Sequence, residues 1–277
     1  MEQLLFYHGG PGLNSNPERN MLAPLYKRHG LDLRVWNAPS ALRNTLPAGF
    51  KGDRFEQLLQ DAESFLLEHY QGKPLFVLGH SMGGQVVAWL LQKHAEKIKI
   101  AFMSAPCFRV FSADRNIFSL MERDCVLNND DVGAEKMRSV IRNLSGSFDD
   151  NNISGWQFLL SNPGIFNHYW HHRDRQVSYF SHFVSPEYIM DVDGFFETRK
   201  DFIDVEVAPS SVKTIVFFGL QDAVVNLDEA RATIHDNFSD LKVYKMPYSA
   251  HYPHIEEMNE VLNIIRETID AWGGNNS

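Results

Sequence analysis

Cysteine is scarce in this sequence, with Cys107 and Cys125 the only two in 277 residues. Two cysteines are too few for a disulfide framework, and their spacing is not that of a metal-ligand pair. Long hydrophobic runs are also missing, since no stretch approaches the roughly 18 apolar residues of a membrane-spanning helix. The opening MEQLLFYHGG has neither a basic segment nor a cleavage-site pattern, so no signal peptide is predicted. These absences predict a reduced, soluble, cytoplasmic protein that does not bind membranes.

Positive charge is in short supply as well. Lysine and arginine total 26 against 35 acidic residues, which gives a net charge of −9. Proteins that bind nucleic acid need clustered basic residues to displace counterions from phosphates. The nearest such cluster, Lys93, Lys97 and Lys99, is typical of a solvated helix end, so nucleic acid is excluded as a partner. No internal repeat or low-complexity segment is visible.

Short apolar runs alternate with helical patterns along most of the chain. Continuous hydrophobicity over four to seven residues is typical of strands buried on both faces, which belong to a parallel sheet covered by helices. The predicted strands are residues 4–7, 31–36, 75–78, 98–103, 214–218 and 241–246. The predicted helices between them are 54–70, 84–93, 227–237 and 254–272. This alternation predicts an α/β fold with right-handed crossovers.

The alternation stops in the interval 106–212, where helical patterns occur without a convincing strand. The predicted helices there are residues 115–123, 134–144, 156–160 and 165–183. The interval is rich in aromatic residues, among them Trp156 and Trp170. We expect a core of residues 1–105 and 213–277 with a helical cap, residues 106–212, inserted over a pocket. The alternative is that these aromatics pack only the small core of the insertion itself.

The motif GHSMG, residues 79–83, lies directly between a predicted strand and a predicted helix. A nucleophile on such a sharp turn is held in a strained conformation, and small residues two before and two after it prevent clashes. The helix that follows points its positive end towards the nucleophile. The motif therefore indicates Ser81 as a catalytic nucleophile.

A second glycine-rich motif, HGGPG at residues 8–12, follows the first predicted strand. Glycines let the backbone approach a ligand closely, and a free N–H there can stabilise a developing oxyanion. We expect the oxyanion to be bound by the backbone N–H groups of Met82 and Gly10, with Gly9 as the alternative to Gly10.

Two further candidates follow the last two predicted strands. Asp222 comes after the strand 214–218, and His251 comes after the strand 241–246. Open α/β sheets build their sites at the carboxyl ends of strands. We therefore expect His251 to act as the base and Asp222 to orient it.

These motifs together resemble the α/β-hydrolase superfamily, in which the triad follows the chain order Ser, Asp, His. HGGPG and the ending HYPHIE, residues 251–256, are similar to the proline iminopeptidase branch. GHSMGG is more similar to esterases, lactonases and thioesterases, because iminopeptidases usually carry a tryptophan after the nucleophile. The resemblance implies an α/β-hydrolase fold with a cap after the strand that follows the nucleophile turn. Family members usually have a hairpin before the HGG strand, so a mostly parallel sheet of about six strands is expected here.

The resemblance implies a serine hydrolase that cleaves a small ester, lactone or thioester through an acyl-enzyme. The alternatives are a proline iminopeptidase-like aminopeptidase and, from another class, a receptor or lyase on the same scaffold with little hydrolytic turnover. No metal or organic cofactor is expected, since the nucleophile is activated internally. A serine at position 81 in place of aspartate argues against the epoxide-hydrolase branch. The expected partner is a small-molecule substrate, for a monomer or homodimer. Candidate substrate-binding residues are His8, Gly9, His80, Trp156 and Trp170.

Several other residues suggest competing roles. His168, His171 and His172 have the spacing of metal ligands on a helix, although a polar helix face is the simpler interpretation. His254 is the main rival to His251 as the base, and Cys107 is a candidate for the pocket wall. An aminopeptidase would need carboxylates over the pocket to bind a free amine, and the insertion offers four: Glu187, Asp191, Asp193 and Glu197.

Overall fold

The protein folds around one six-stranded sheet in which every pair of neighbouring strands is parallel. The computed structural model describes residues 1–39, 54–183, 196, 199–200, 204 and 206–274. The strand order is β2-β1-β3-β4-β5-β6. The strands are β1 Glu2–Tyr7, β2 Leu31–Val35, β3 Leu75–His80, β4 Ile98–Ser104, β5 Lys213–Gly219 and β6 Leu241–Met246. The predicted parallel α/β sheet is confirmed.

Helices connect the strands. In the first half of the chain these are α1 Asn16–Met21, α2 Ala23–Arg28, α3 Arg54–His69 and α4 Met82–His94, followed by a 3₁₀ turn, Ala95–Lys97. Between β4 and β5 lie α5 Val110–Leu127, α6 Asp131–Arg142, α7 Asp150–Ser161, a 3₁₀ segment Pro163–Tyr169 and α8 Arg173–Phe183. The last helices are α9 Leu227–Asn237, α10 Pro253–Glu256 and α11 Met258–Gly274. No helix in the described part of the chain is long and apolar enough to cross a membrane.

The central strands of the sheet are mostly apolar and buried on both faces, whereas the edge strands β2 and β6 carry charged residues and are only partly buried. All six residues of β3 are buried, as are the last four of β1. One face packs against α3 and α4, and the other packs against α1, α2 and α11. Helix α3 forms its contact through apolar residues at helical spacing, Phe55, Leu58, Leu59, Ala62 and Leu66. Burial on both faces explains why the central strands such as β1 and β3 lack an alternating pattern of apolar and polar residues.

The order of the strands determines where a site can form. From β1 the chain moves outward to β2 and then crosses to the other side of β1 to make β3. Tyr7 at the end of β1 is in register with Gly79 near the end of β3. The crevice beyond such a switch point is the usual ligand site of an open α/β sheet. The HGGPG and GHSMG motifs both open into it.

The helices between β4 and β5 have an apolar cluster of their own. Phe118, Met137 and Leu159, from α5, α6 and α7, are almost completely buried in it. Val224 from the loop after β5 also belongs to this cluster. The inserted helices therefore pack both on one another and on the loop that carries Asp222.

The predicted helix over residues 165–183 is right from residue 173 onward but is not continuous. Residues 163–169 form a 3₁₀ segment, and α8 begins only at Arg173. The backbone N–H groups of His171 and His172 donate to the Glu256 carboxylate, so they are not available to continue a helix. The helices α1 and α2 were not predicted, although Pro17 and Pro24 stand at their first or second positions, where proline is favoured.

Candidate active site

Ser81 lies on a sharp turn between β3 and α4. Its backbone has φ 52° and ψ −114°, a left-handed conformation that a residue with a side chain rarely adopts. The turn is tight enough that a Cβ atom at Gly79 would overlap the carbonyl of Gly83, and one at Gly83 would overlap the carbonyl of Tyr7. Glycine is therefore required at both ends of the GHSMG motif. The half-buried Ser81 side chain remains accessible.

The side chains of Ser81, His251 and Asp222 form one hydrogen-bonded chain. His251 Nδ1 is 2.9 Å from Asp222 Oδ2, and His251 Nε2 is 3.0 Å from Ser81 Oγ. Since an ionised carboxylate only accepts, Nδ1 carries the proton, and Nε2 is left to accept from the serine hydroxyl. The His251 and Asp222 side chains are 4% and 3% exposed. The structure thus brings the three predicted residues together in the arrangement of a nucleophile, a base and an orienting acid.

Asp222 is held by its own loop. Its second carboxylate oxygen, Oδ1, accepts backbone N–H groups from Val224 at 2.9 Å and Val225 at 3.0 Å. A Cβ at Gly219, the last residue of β5, would overlap the carbonyl of Ala250. The Asp222 loop and the His251 loop are therefore in direct backbone contact, which fixes the distance between Asp222 and His251.

The HGGPG loop lies beside Ser81. Gly9 and Gly10 both line the cavity in front of the nucleophile. Gly10 has φ +149°, which favours glycine. Met82 is the first residue of α4, so its N–H has no acceptor within the helix. Gly10 therefore lies at the cavity, whereas Met82 is not among its described lining residues.

His8 has a different position from the one expected. Its Nδ1–H donates to the carbonyl of Gly9 at 2.5 Å, and its Nε2 accepts from the N–H of Ala38 at 3.1 Å. The ring stacks on Trp36 with centroids 4.8 Å apart. His8 is 1% exposed and does not belong to the described cavity lining. Its contacts hold the glycine loop in place rather than reach a ligand.

His80, the residue before the nucleophile, is buried at the cavity wall. Its Nε2–H donates to the carbonyl of His251 at 2.9 Å. Burial lowers the pKa of His80 well below its usual range, and His254 and His251 lower it further. The ring is therefore neutral near pH 7, as its single donated hydrogen bond requires.

The cavity in front of Ser81 has a volume of about 270 Å³ and a mainly apolar wall. Trp156 and Trp170 line it, as expected, and so does Cys107. Burial raises the pKa of the Cys107 thiol to about 12, so the thiol is not activated. The other large apolar residues of the wall are Leu13, Val110, Ile117, Leu160, Phe166, Tyr169, Tyr179, Phe180, Val224 and Tyr252.

A buried ion pair also contributes to the cavity wall. Arg199 donates to Asp114 Oδ2 at 2.6 Å, and both side chains are 3% exposed. Burial raises the pKa of Asp114, whereas Arg199, Trp156 and Asn152 favour its charged form. The pair joins α5 to the segment before β5 and adds no net charge to the cavity.

His254, the rival base, lies behind the site. It is completely buried and shares a hydrogen bond with Ser104 Oγ at 3.0 Å. Its other ring nitrogen is 3.6 Å from Glu18 Oε1. Glu18, also fully buried, accepts a hydrogen bond from Tyr179 of α8 at 3.0 Å. His254 thus belongs to a buried polar network that runs from the sheet to α8, whereas His251 faces Ser81.

The three histidines with metal-ligand spacing do not share a helix face. His168 Nε2 is 2.7 Å from Asp124 Oδ2, while His171 and His172 lie in the turn before α8. Among the described residues, no group of three histidine, cysteine or acidic side chains could hold a metal ion. The four acidic candidates for an amine site, Glu187, Asp191, Asp193 and Glu197, lie outside the described residues.

Sequence reasoning did not identify Tyr169 or Glu256 as site residues. The Tyr169 ring stands edge-on to His251 with centroids 5.4 Å apart, and its carbonyl accepts the His251 N–H at 3.0 Å. Glu256 belongs to the HYPHIE ending, but nothing in that motif indicates that its carboxylate reaches across to residues 171–172. Contacts between distant loops leave no periodic signal in the sequence.

Comparisons with known proteins identify the family and the fold. A family model described as the alpha/beta hydrolase fold matches residues 3–258. No curated protein sequence matches the chain. The esterase EaEST from Exiguobacterium antarcticum is similar in structure at a TM-score of 0.62 and 13% identity, with 98% of this chain and 92% of that chain covered.

Two further solved structures are similar to this chain. A proline iminopeptidase-related protein from Thermus thermophilus has a TM-score of 0.64 at 15% identity, covering 98% of this chain and 89% of that chain. Est816, described as an N-acyl homoserine lactone degrading enzyme, has a TM-score of 0.58 at 14% identity, covering 96% and 93%. At identities of 13–15%, these similarities show the fold alone.

Proposed function

The chain belongs to the α/β-hydrolase family, and we propose that it is a serine hydrolase of small carboxylic esters, lactones or thioesters. The observation that carries the proposal is the hydrogen-bonded chain from Ser81 through His251 to Asp222. It ends on a strained, accessible serine at the floor of an apolar cavity. We also propose that residues 106–212 act as a cap over this cavity, since α5, α7 and α8 all contribute to its wall.

The proposed reaction proceeds through an acyl-enzyme. Ser81 Oγ attacks the acyl carbon while its proton passes to His251 Nε2. Asp222 keeps the proton on Nδ1 and stabilises the imidazolium that forms. Collapse of the tetrahedral intermediate breaks the bond to the leaving group, which takes the proton from Nε2. Water then repeats the sequence, giving its proton to His251 and releasing the acid and free Ser81.

The developing negative charge needs hydrogen-bond donors that are already in place. We propose the N–H groups of Met82 and Gly10 for this role, with Gly9 as the alternative. The free N–H at the start of α4 and the positive φ of Gly10 support this choice. Removing one such donor from a serine hydrolase typically costs about 10²–10³ in kcat.

The cavity favours a compact, apolar acyl group. Its volume of about 270 Å³ lies just below the range of about 300–1,000 Å³ that is usual for ligand pockets. Aromatic and aliphatic side chains cover most of the wall, including Trp156, Trp170 and Tyr169. We therefore propose that short or ring-containing acyl groups are hydrolysed faster than long chains.

The aminopeptidase alternative has less support. An N-terminal amine needs an uncompensated carboxylate, and among the described residues the one carboxylate of the cavity wall, Asp114, is paired with Arg199 at 2.6 Å. We retain prolyl amides as a comparison substrate, because the HGGPG and HYPHIE motifs resemble that branch. A receptor on this scaffold would have the same cavity and would differ from a hydrolase only in its rate of substrate turnover.

The test combines a covalent probe with a substrate series. A fluorophosphonate should add one mass equivalent to the peptide that contains Ser81, and the variant Ser81→Ala should not be labelled. Acetate, butyrate and octanoate esters of p-nitrophenol should be hydrolysed in falling order, and prolyl p-nitroanilide more slowly than all three. Labelling at another residue would contradict the nucleophile assignment. Labelling of Ser81 without ester turnover would favour the receptor.

A further inference from the structure

Two glutamates hold the loop that carries His251. Glu257 Oε2 accepts the N–H of Tyr248 at 3.0 Å and the hydroxyl of Ser249 at 2.6 Å. Glu256 Oε2 accepts the N–H of Ala250 at 2.8 Å. Glu257 thus binds residues 248–249, and Glu256 binds Ala250, the residue directly before the proposed base.

Of these two glutamates, only Glu256 has described hydrogen bonds to the segment between β4 and β5. Its other oxygen, Oε1, accepts the N–H of His171 at 2.6 Å and of His172 at 2.7 Å. The Glu256 residue is 5% exposed, so water competes little for these bonds. Hydrogen bonds to an ionised carboxylate are shorter and stronger than those between neutral groups. One carboxylate thus joins the His251 loop to the turn before α8.

The same turn forms part of the cavity wall and contacts the base directly. The Trp170 ring stacks on Tyr252 with centroids 4.1 Å apart and an angle of 8° between planes. The carbonyl of Tyr169 accepts the His251 N–H at 3.0 Å. Residues 169–172 therefore meet residues 250–252 through backbone bonds, ring stacking and the Glu256 carboxylate.

We propose that Glu256 is a positioning residue that fixes His251 relative to Ser81 by tying its loop to the turn at residues 170–172. This inference rests on the proposed function, because it assigns Glu256 a part in the same reaction. His251 Nε2 must stay within hydrogen-bond reach of Ser81 Oγ, now 3.0 Å away. A displacement of about 1 Å can lower the rate of an enzyme about 100-fold. Glu256 restrains that displacement from the side of the cap.

The variant Glu256→Gln tests the proposal with Glu257→Gln as its matched control. The glutamine amide has only one acceptor oxygen. Its NH₂ group faces either the N–H of Ala250 or the N–H groups of His171 and His172, so the hydrogen bonds on that side of the link are lost. We expect kcat for p-nitrophenyl butyrate and the rate of fluorophosphonate labelling to fall by about 10–100-fold. KM should change less than about threefold, because the cavity wall keeps its side chains. Glu257→Gln should change kcat by less than about threefold, since the link to residues 171–172 is intact.

Amide hydrogen exchange separates this proposal from the proposed function. In Glu256→Gln, exchange should accelerate in the peptide around Ala250 or in the one around His172, whichever faces the NH₂ group, and in Glu257→Gln around Tyr248 alone. Amide exchange does not depend on catalytic turnover. An inactive wild-type protein would therefore contradict the proposed function, while exchange would still report the link between the His251 loop and residues 171–172. A labelling rate or kcat of Glu256→Gln within about twofold of wild type would overturn the positioning role. If that variant does not fold, Glu256→Asp replaces it, because its shorter side chain keeps the charge but cannot reach both loops; the same criteria apply.

Discussion

At the scale of single residues, Ser81 combines a proposed chemical role with backbone strain. A residue with a side chain held at φ 52° and ψ −114° costs about 1–3 kcal/mol relative to a relaxed backbone. The surrounding contacts hold it there: the Ser81 N–H donates to the carbonyl of Ser104 at 3.0 Å, and its carbonyl accepts from Gly84 and Cys107. The strain is thus maintained by the sheet and by α4.

The first prediction separates this strain from the chemistry. Ser81→Ala and Ser81→Gly should both lose activity by several orders of magnitude, on the order of 10⁶-fold. Ser81→Gly should be more stable than Ser81→Ala by about 1 kcal/mol, because glycine adopts a positive φ freely. Urea denaturation of both variants measures the difference. Equal stabilities would mean that the turn is not strained, and residual activity above about a tenth of wild type would exclude Ser81 as the nucleophile.

The second prediction concerns the tautomer of His251. Asp222→Asn keeps an oxygen for the N–H groups of Val224 and Val225 but can donate a hydrogen bond to Nδ1. The imidazole would then carry its proton on Nε2, where it cannot accept from Ser81. We expect kcat to fall about 10⁴-fold while the melting temperature changes little. As a control, Asp228→Asn at the exposed start of α9 should leave both unchanged.

At the scale of elements, what the sequence could predict depended on local signals. The buried central strands carry nearly continuous apolar runs, and the edge strands β2 and β6 keep several apolar residues among charged ones; all six were identified from the sequence. The glycine motifs predicted the turn at Ser81, because Gly79 and Gly83 have no room for a side chain. The prediction of one continuous helix over 165–183 was wrong because the backbone N–H groups of residues 171 and 172 donate to the Glu256 carboxylate, about 85 positions further along the chain. The ion pair of Asp114 with Arg199 was missed for the same reason.

The third prediction compares two tryptophans on different elements. Trp170 stacks on Tyr252 in the His251 loop, whereas Trp156 packs against Phe118 inside the inserted helices. Trp170→Leu should change the ratio of acetate to octanoate ester hydrolysis more than it changes stability. Trp156→Ala should cost about 3–5 kcal/mol of folding free energy, as deletion of a buried ring usually does.

Thermal melting and the ester ratio, measured in the same variants, test this contrast. Trp89→Leu, on α4 and outside the described cavity lining, is the control and should leave the ratio unchanged. If Trp170→Leu lowers the melting temperature strongly with an unchanged ratio, Trp170 holds the turn together and does not select the substrate.

At the scale of the whole molecule, two buried histidines connect stability to pH. Burial lowers the pKa of His80 and of His254. His80 faces His251, His254 and His8, all of which disfavour its charge, whereas His254 also faces Glu18, which favours it. In the unfolded chain both titrate near the reference pKa of about 6.5. The unfolded state therefore binds more protons below that pH, and the folded state loses stability as pH falls.

The fourth prediction follows from that sign. The melting temperature should be nearly constant above about pH 7 and should fall steadily between about pH 6.5 and pH 5. His80→Gln, whose amide can still donate to the His251 carbonyl, should show a shallower fall. His235→Gln at an exposed position of α9 is the control and should keep the wild-type slope. A melting temperature that rises towards pH 5 would mean that these histidines are not held neutral.

The distance along the chain between Ser81 and His251 also has a consequence for the newly synthesised protein. His251 lies 170 positions after Ser81, and the strand that precedes it, β6, is the last of the sheet. A ribosome adds about 5–20 residues per second, so the proposed nucleophile is synthesised roughly 10–30 s before the proposed base. Throughout that interval Ser81 is an ordinary alcohol without a proton acceptor. A nascent chain can thus form its first four strands before Ser81 has the base that the proposed reaction needs.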